Sequence, residues 1–129
     1  MSGAIKIYGI PLSQNVRKPL AVAAHLGVSV EIVPIRPQDP IVKQKYPAGR
    51  IPFLEENDVI LGESNAMMIH LAAKSKNDLY PADEGRRDAI NQWLFWDAAH
   101  WTPAYQPIQF ERLVKGLLGL GAPDEAVIA

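Results

Sequence analysis

The sequence predicts an α/β fold: a four-stranded mixed sheet covered by helices, followed by the start of an all-helical segment. Three observations predict it. Up to residue 77, strand-period and helix-period stretches alternate in the order βαβ, short helix, ββα. Two of the strands flank Asn57-Asp58, a hairpin turn signal. From Arg86 onward the apolar residues recur only at helical spacing.

In chain order, Ala4–Tyr8 places Ile5 and Ile7 on one side of Lys6, a period-2 strand ended by Gly9-Ile10-Pro11. Ser13-Gln14-Asn15 offers caps for a helix that runs to Leu26 and stops at Gly27. Pro19 lies inside it, which predicts a start near Asn15 or a kink. Val28–Ile35 reads as a strand, placed at a sheet edge by Pro34 and Pro37. Asp39–Tyr46 holds a short helix. Phe53–Glu56 and Val59–Glu63 form the hairpin, and Ser64 caps a helix over Asn65–Lys76. The domain boundaries follow: 1–77 for the sheet domain, 78–85 for a polar linker holding Pro81, and 86–129 for helices.

In the helical part, Ile90, Trp93, Leu94, Asp97 and Trp101 share one face. Pro103 and Pro107 are expected to break or kink the run before a second stretch over 108–118. Pro123-Asp124-Glu125 reads as a new helix with Pro at its first position. Asp97 lies on the apolar stripe, where a carboxylate needs a hydrogen-bonding partner.

Composition narrows the function. Thirteen basic against fourteen acidic residues leave a net charge of −1. That gives no electrostatic case for nucleic acid or for an anionic membrane surface. Without cysteine the chain has no disulfide, no thiolate metal site and no thiol nucleophile of its own. The three histidines show no metal-ligand spacing with acids. Met1-Ser2-Gly3-Ala4 lacks the basic and apolar regions of a secretory leader, so a cytoplasmic protein is the expectation.

Four local features occur in order: Tyr8-Gly9-Ile10-Pro11-Leu12-Ser13-Gln14-Asn15-Val16-Arg17, Tyr46-Pro47-Ala48-Gly49-Arg50-Ile51-Pro52-Phe53-Leu54, Glu63-Ser64, and Leu79-Tyr80-Pro81. Together they resemble the thioredoxin-like N-terminal domain of glutathione transferases, above all the serine-using branches of bacteria and plants. Residues 86–122 resemble the first helices of that family's second, all-helical domain, including its Trp-rich opening helix. The resemblance implies a complete N-terminal domain and a truncated helical one. It also implies a dimer, and a detoxifying transferase that joins the glutathione thiolate to a small hydrophobic electrophile. Glutathione is then a cosubstrate, and no metal or other cofactor is needed. Two rival readings are a glutathione-binding module without turnover, and a glutathione-dependent isomerase or reductase on the same scaffold.

The residues carry this chemistry as follows. A free thiol has a pKa near ~8.5, so the reactive thiolate must be stabilised. Ser13 supplies an O–H donor at the mouth of the first helix, where the helix N-terminus also favours an anion. As a bare residue Ser13 reads first as a plain N-cap or loop serine. By resemblance it activates the thiol, with Asn15 as the alternative donor. Ile51-Pro52 is expected to be a cis peptide in this context, with the Ile51 backbone pairing with the cysteinyl part of glutathione as an added strand would. Glu63 and Ser64 match the ammonium and carboxylate of the γ-glutamyl end, and Arg50 offers a cation to a backbone amide or carboxylate of glutathione, against the alternative of a solvated turn arginine. His100, Trp101 and Tyr105 are candidates for a second-substrate pocket, against the alternative of packing within a helical bundle. Tyr46 stands where many relatives carry Asn, which predicts a turn with weaker hydrogen bonding. His70 is expected to pack where the family often has an aromatic residue.

Overall fold

A computed structural model describes residues 3–129; Met1 and Ser2 lie outside the described residues. The chain separates into two compact units, one ending at Ala82 and the other beginning at Asp83.

The first unit contains β1 (Ile5–Tyr8), α1 (Gln14–Leu26), β2 (Val30–Val33), α2 (Pro40–Lys45), β3 (Phe53–Glu56), β4 (Val59–Gly62) and α3 (Ser64–Ala72). The sheet order is β2-β1-β3-β4. β1 and β2 are parallel, while β3 is antiparallel to both β1 and β4. The sheet is therefore mixed, and β2 is an edge strand.

Alternation along the strands builds two cores. Ile5, Ile7 and Leu54 point to one face and pack with Val16, Ala23, Met67 and Leu71 of α1 and α3. Tyr8 and Phe53 point to the other and pack with Ile35 and Val42, beneath α2. Helices thus cover both faces of the sheet. The Tyr8 and Phe53 rings stack at 4.5 Å, and Tyr46 lies tilted 6.0 Å from Phe53. In the turn after α2 the Tyr46 carbonyl accepts from Gly49 N–H at 2.8 Å. Its ring lies so close to Gly62 that a Cβ there would stand 2.1 Å from it, which only glycine avoids.

The ends of the elements correct several boundaries. α1 starts at Gln14 and runs unbroken through Pro19, whose ring is fully buried. Gly27 ends it with φ 67°, and Val28 N–H turns back to the Ala23 carbonyl at 2.9 Å, which delays β2 to Val30. β4 stops at Gly62 because Glu63 takes φ 61°. α3 ends at Ala72, short of Lys76, where the Asn77 amide donates to the carbonyls of Ala72 and Ser75 at 2.6 Å each.

His70 is a hydrogen-bonding partner of a carboxylate rather than an apolar filler. Its Nε2 lies 2.7 Å from Glu56 Oε2, and Lys74 Nζ donates to the same oxygen. Glu56 is only 4% exposed, so these partners satisfy a carboxylate that burial would otherwise penalise. Hydrogen bonding from Lys74 and then His70 holds its carboxyl below the ordinary range against the opposing effect of burial. A depressed folded-state pKa contributes stability above the ordinary value of about 4.3 and loses it as pH falls through the lower folded value. Urea melts should therefore show the parent chain losing stability below about pH 4 more steeply than Glu56→Gln.

The second unit contains α4 (Glu84–Trp96), α5 (Thr102–Gln109), α6 (Lys115–Leu117) and α7 (Glu125–Ile128). π-helical turns at Asp97–Trp101 and Phe110–Val114 join α4, α5 and α6 into one helical path. Of the break or kink expected at Pro103 and Pro107, the break does not occur, since α5 runs through both prolines. An interior proline removes an N–H and crowds the carbonyl four residues back. The π-helical turn over Asp97–Trp101 ends just before Pro103, beside the carbonyls that its ring would crowd, while Pro107 sits inside α5 itself. Asp97 accepts from Thr102 Oγ1 at 3.3 Å, the kind of partner its place on the stripe requires. α7 is capped by Asp124, whose carboxylate accepts from Ala126 N–H at 3.0 Å, which puts Pro123 outside the helix. Glu111, 7% exposed, takes Lys115 Nζ at 2.8 Å and Asp124 N–H at 2.6 Å. No residue of α4 is buried, and Trp93 and Phe95 are 61% and 74% exposed.

Candidate glutathione site

The segment after β1 forms a turn in which Ser13 N–H donates to the Ile10 carbonyl at 2.9 Å. The Ser13 carbonyl then starts α1 by accepting from Val16 and Arg17 N–H, both at 3.1 Å. Ser13 is thus the N-cap by backbone position (φ −71°, ψ 130°), yet its hydroxyl makes no cap bond. The O–H remains available at a helix N-terminus, where exposed N–H groups and the helix dipole favour an anion.

Gly9 brings the second part of the site against this one. A Cβ on Gly9 would lie 2.6 Å from Val16 Cγ2 and 3.6 Å from Pro52 Cβ. The end of β1 therefore passes between α1 and Pro52 with room only for hydrogen. The Ile51–Pro52 peptide bond is cis. Ile51 precedes the paired residues of β3, which begin at Phe53, and Arg50 before it is exposed.

The third part joins through Asn15. Ser64 Oγ donates to Asn15 Oδ1 at 3.4 Å, which links the first turn of α1 to the first residue of α3. Ser64 is buried and occupies the first helical position; the N-cap is Glu63, without a side-chain cap bond. This corrects the expectation that Ser64 caps. The helix begins one residue early because Glu63 takes the backbone turn and its carbonyl accepts from Met67 N–H at 3.0 Å. A non-glycine residue at φ 61° costs on the order of 1–3 kcal/mol, and such residues cluster at ligand sites.

The structure thus gathers Ser13, Asn15, Pro52, Glu63 and Ser64 at one corner of the first unit. Beside Ile10 lies an open groove of about 700 Å³ lined also by Pro34, Ile35, Arg36, Gln38 and Asp39. In the second unit Trp101 stacks on Tyr105 at 5.8 Å and on Trp96 at 5.9 Å, and Trp96 meets Trp93 edge-on at 5.7 Å. His100 is exposed on the adjoining π-helical turn. Among the described residues no cluster of His, Asp or Glu could hold a metal ion, and no helix is long and apolar enough to cross a membrane.

Residues 7–78 match the family model for the glutathione S-transferase N-terminal domain. The chain belongs to the glutathione S-transferase family. It is 37% identical to glutathione S-transferase 3 of Zea mays over 96% of this chain and 59% of that protein. It resembles the theta class glutathione S-transferase of Xanthomonas axonopodis pv. citri with glutathione bound, at TM-score 0.83 and 27% identity, over 98% of this chain and 62% of that one. It also resembles glutathione S-transferase I from maize in complex with an atrazine glutathione conjugate, at TM-score 0.80 and 29% identity, over 98% and 62% of the two chains. The chain spans about three-fifths of the length of these relatives.

Two features of this glutathione S-transferase domain escape sequence reading. The positive φ of Glu63 has no local signal, because nothing in Gly62-Glu63-Ser64 favours that conformation over an ordinary strand end. Arg36 and Gln38 reach the groove because the turn after β2 faces Ile10, a neighbourhood set by the parallel pairing of β1 with β2.

Proposed function

We propose that this chain is the glutathione-binding part of a cytoplasmic glutathione transferase that joins the thiolate of glutathione to a small hydrophobic electrophile. The observation that carries the reading is the convergence, through Gly9 and Asn15, of a free Ser13 hydroxyl with Pro52 and with Glu63-Ser64.

In this reading the Ser13 O–H donates to the sulfur, and the α1 N-terminus adds its partial positive charge, so the thiol proton leaves to water at neutral pH. The sulfur lone pair then forms the new bond to the electrophilic carbon, and the leaving group departs with its electron pair. The Ile51 backbone pairs with the cysteinyl unit. Glu63 faces the γ-glutamyl ammonium and Ser64 its carboxylate, while Arg50 reaches a backbone amide or carboxylate of glutathione. Glutathione is the cosubstrate, and no metal or redox cofactor takes part. His100, Trp101 and Tyr105 contribute to the electrophile pocket. The working molecule is a homodimer, with a linker over residues 78–85 between the sheet domain (1–77) and the helices (86–129). The atrazine conjugate held by the maize relative supports an aromatic electrophile class.

The exposed aromatic residues of α4 favour a second reading, a module that binds glutathione and associates without turnover. Calorimetric titration with glutathione, then a conjugation assay with a broad electrophile, separates the two. Saturable binding with conjugate formation is the expected result. Binding without conjugate selects the module, and no binding at millimolar glutathione rules out both.

A further inference from the structure

We propose that Glu55, with Lys45 and Tyr8, is a positioning clamp that sets the spacing between the Ser13 arm and the Ile51-Pro52 arm of the glutathione site. This rests on the functional reading above.

Two stretches of chain lead into the site. One leaves β1 at Tyr8 and passes Gly9 to Ser13. The other leaves α2 at Lys45 and passes Tyr46 and Arg50 to Ile51 and Pro52. The Glu55 carboxylate ties both at their points of departure. One oxygen accepts from the Tyr8 hydroxyl, and the other accepts from Lys45 Nζ at 2.7 Å. The Lys45 ammonium also stands 5.6 Å over the Tyr8 ring, within cation–π range. The three groups therefore form a closed triangle.

The surroundings give the triangle leverage. Glu55 projects from the middle of the sheet, on β3 opposite Lys6 of β1. The side chains of Lys45 and Glu55 are 29% and 22% exposed, so their attraction is less screened than that of a free surface pair. Hydrogen bonds from Lys45 and then Tyr8 hold the Glu55 carboxyl below the ordinary range, so the acceptor is a carboxylate at neutral pH. α2 has six residues, too few to be stable as an isolated helix, and Val42 is its only buried side chain. Its last residue is held by the Glu55 pair. A glutathione spanning Ser13 and Ile51 needs both arms at fixed separation, and small misplacements weaken such sites.

The test uses the full chain with Glu55→Gln, Lys45→Met and Lys45→Arg. Calorimetry should show glutathione dissociation constants about tenfold higher in Glu55→Gln and Lys45→Met, and within about twofold of the parent in Lys45→Arg. The pKa of the bound thiol, set at Ser13, should stay unchanged in all three. Parent-like affinity in both Glu55→Gln and Lys45→Met overturns the clamp. So does an equal loss in Lys45→Arg, because a restored charge would then not rescue. If Glu55→Gln does not fold, the two Lys45 variants decide alone. If the parent itself binds no glutathione, the functional reading fails, and amide exchange without ligand decides the clamp. Exchange about tenfold faster at Gly9–Ser13 and Tyr46–Ile51 in Lys45→Met, with α3 unchanged, supports it, and unchanged exchange at those arms overturns it.

Discussion

Ser13→Ala should lower the rate of glutathione conjugation by about 10²–10³-fold, the usual consequence of removing one donor from a reacting anion. The hydroxyl is the group lost, and it holds no cap bond that the helix would miss. Stability should change little, because the backbone bonds from Val16 and Arg17 to the Ser13 carbonyl do not involve the side chain. Affinity for glutathione should stay within a few-fold, since Ile51, Glu63 and Ser64 hold the rest of the tripeptide in the proposed site. The decisive measurement is the pKa of the bound thiol, followed through the ultraviolet absorbance of the thiolate. In the parent it should lie below the free value of about 8.5, and in Ser13→Ala it should rise toward that value. An unchanged thiol pKa and turnover would move the donor role to Asn15, whose Oδ1 already accepts from Ser64.

The second large effect is structural. Phe53→Ala should destabilise the chain by about 3–5 kcal/mol, measured as a lower midpoint in urea with little change in slope. Phe53 is fully buried at the start of β3, stacked on Tyr8 and beside Tyr46. Its removal leaves a cavity beneath α2 that the two aromatic neighbours cannot fill without leaving their own partners, Glu55 and the Gly62 backbone. A domain of this size has a total stability of about 5–15 kcal/mol, so the loss is a large share of it. Val59→Ala on the half-exposed hairpin strand is the control and should cost under about 0.5 kcal/mol. Equal midpoints for the two variants would mean that the Tyr8–Phe53–Val42 cluster does not carry the fold.

Much of the fold and part of the site are legible in the sequence, for reasons particular residues make plain. Ile5 and Ile7 alternate with Lys6, so β1 has an apolar face wherever it lies. Gly27 is the residue that tolerates a left-handed helix end, and it takes φ 67°. Pro34 and Pro37 cannot donate to a ladder, and β2 is an edge strand. The cis bond at Ile51-Pro52 is the one that the family resemblance implied. Local rules failed where a distant partner decided the outcome. His70 was indistinguishable from an apolar-face residue until β3 placed Glu56 beside it. Pro103 and Pro107 look like helix breakers, yet α5 holds both, with a π-helical turn just before Pro103.

By itself, then, the sequence determined the order and type of the elements, the family to which they belong, and the chemistry available: no thiol of its own, a hydroxyl at a helix mouth, and an acid and a serine at a second one. These depend on side-chain period, backbone freedom and functional groups, which are local properties. Only the tertiary structure decided that Gly9 must be bare because Pro52 and Val16 press on it, that Ser64 reaches Asn15, that Glu63 bends into a strained conformation, and that Glu55 ties Tyr8 to Lys45. Each joins residues from separate elements, and their spacing follows from how the sheet and helices pack.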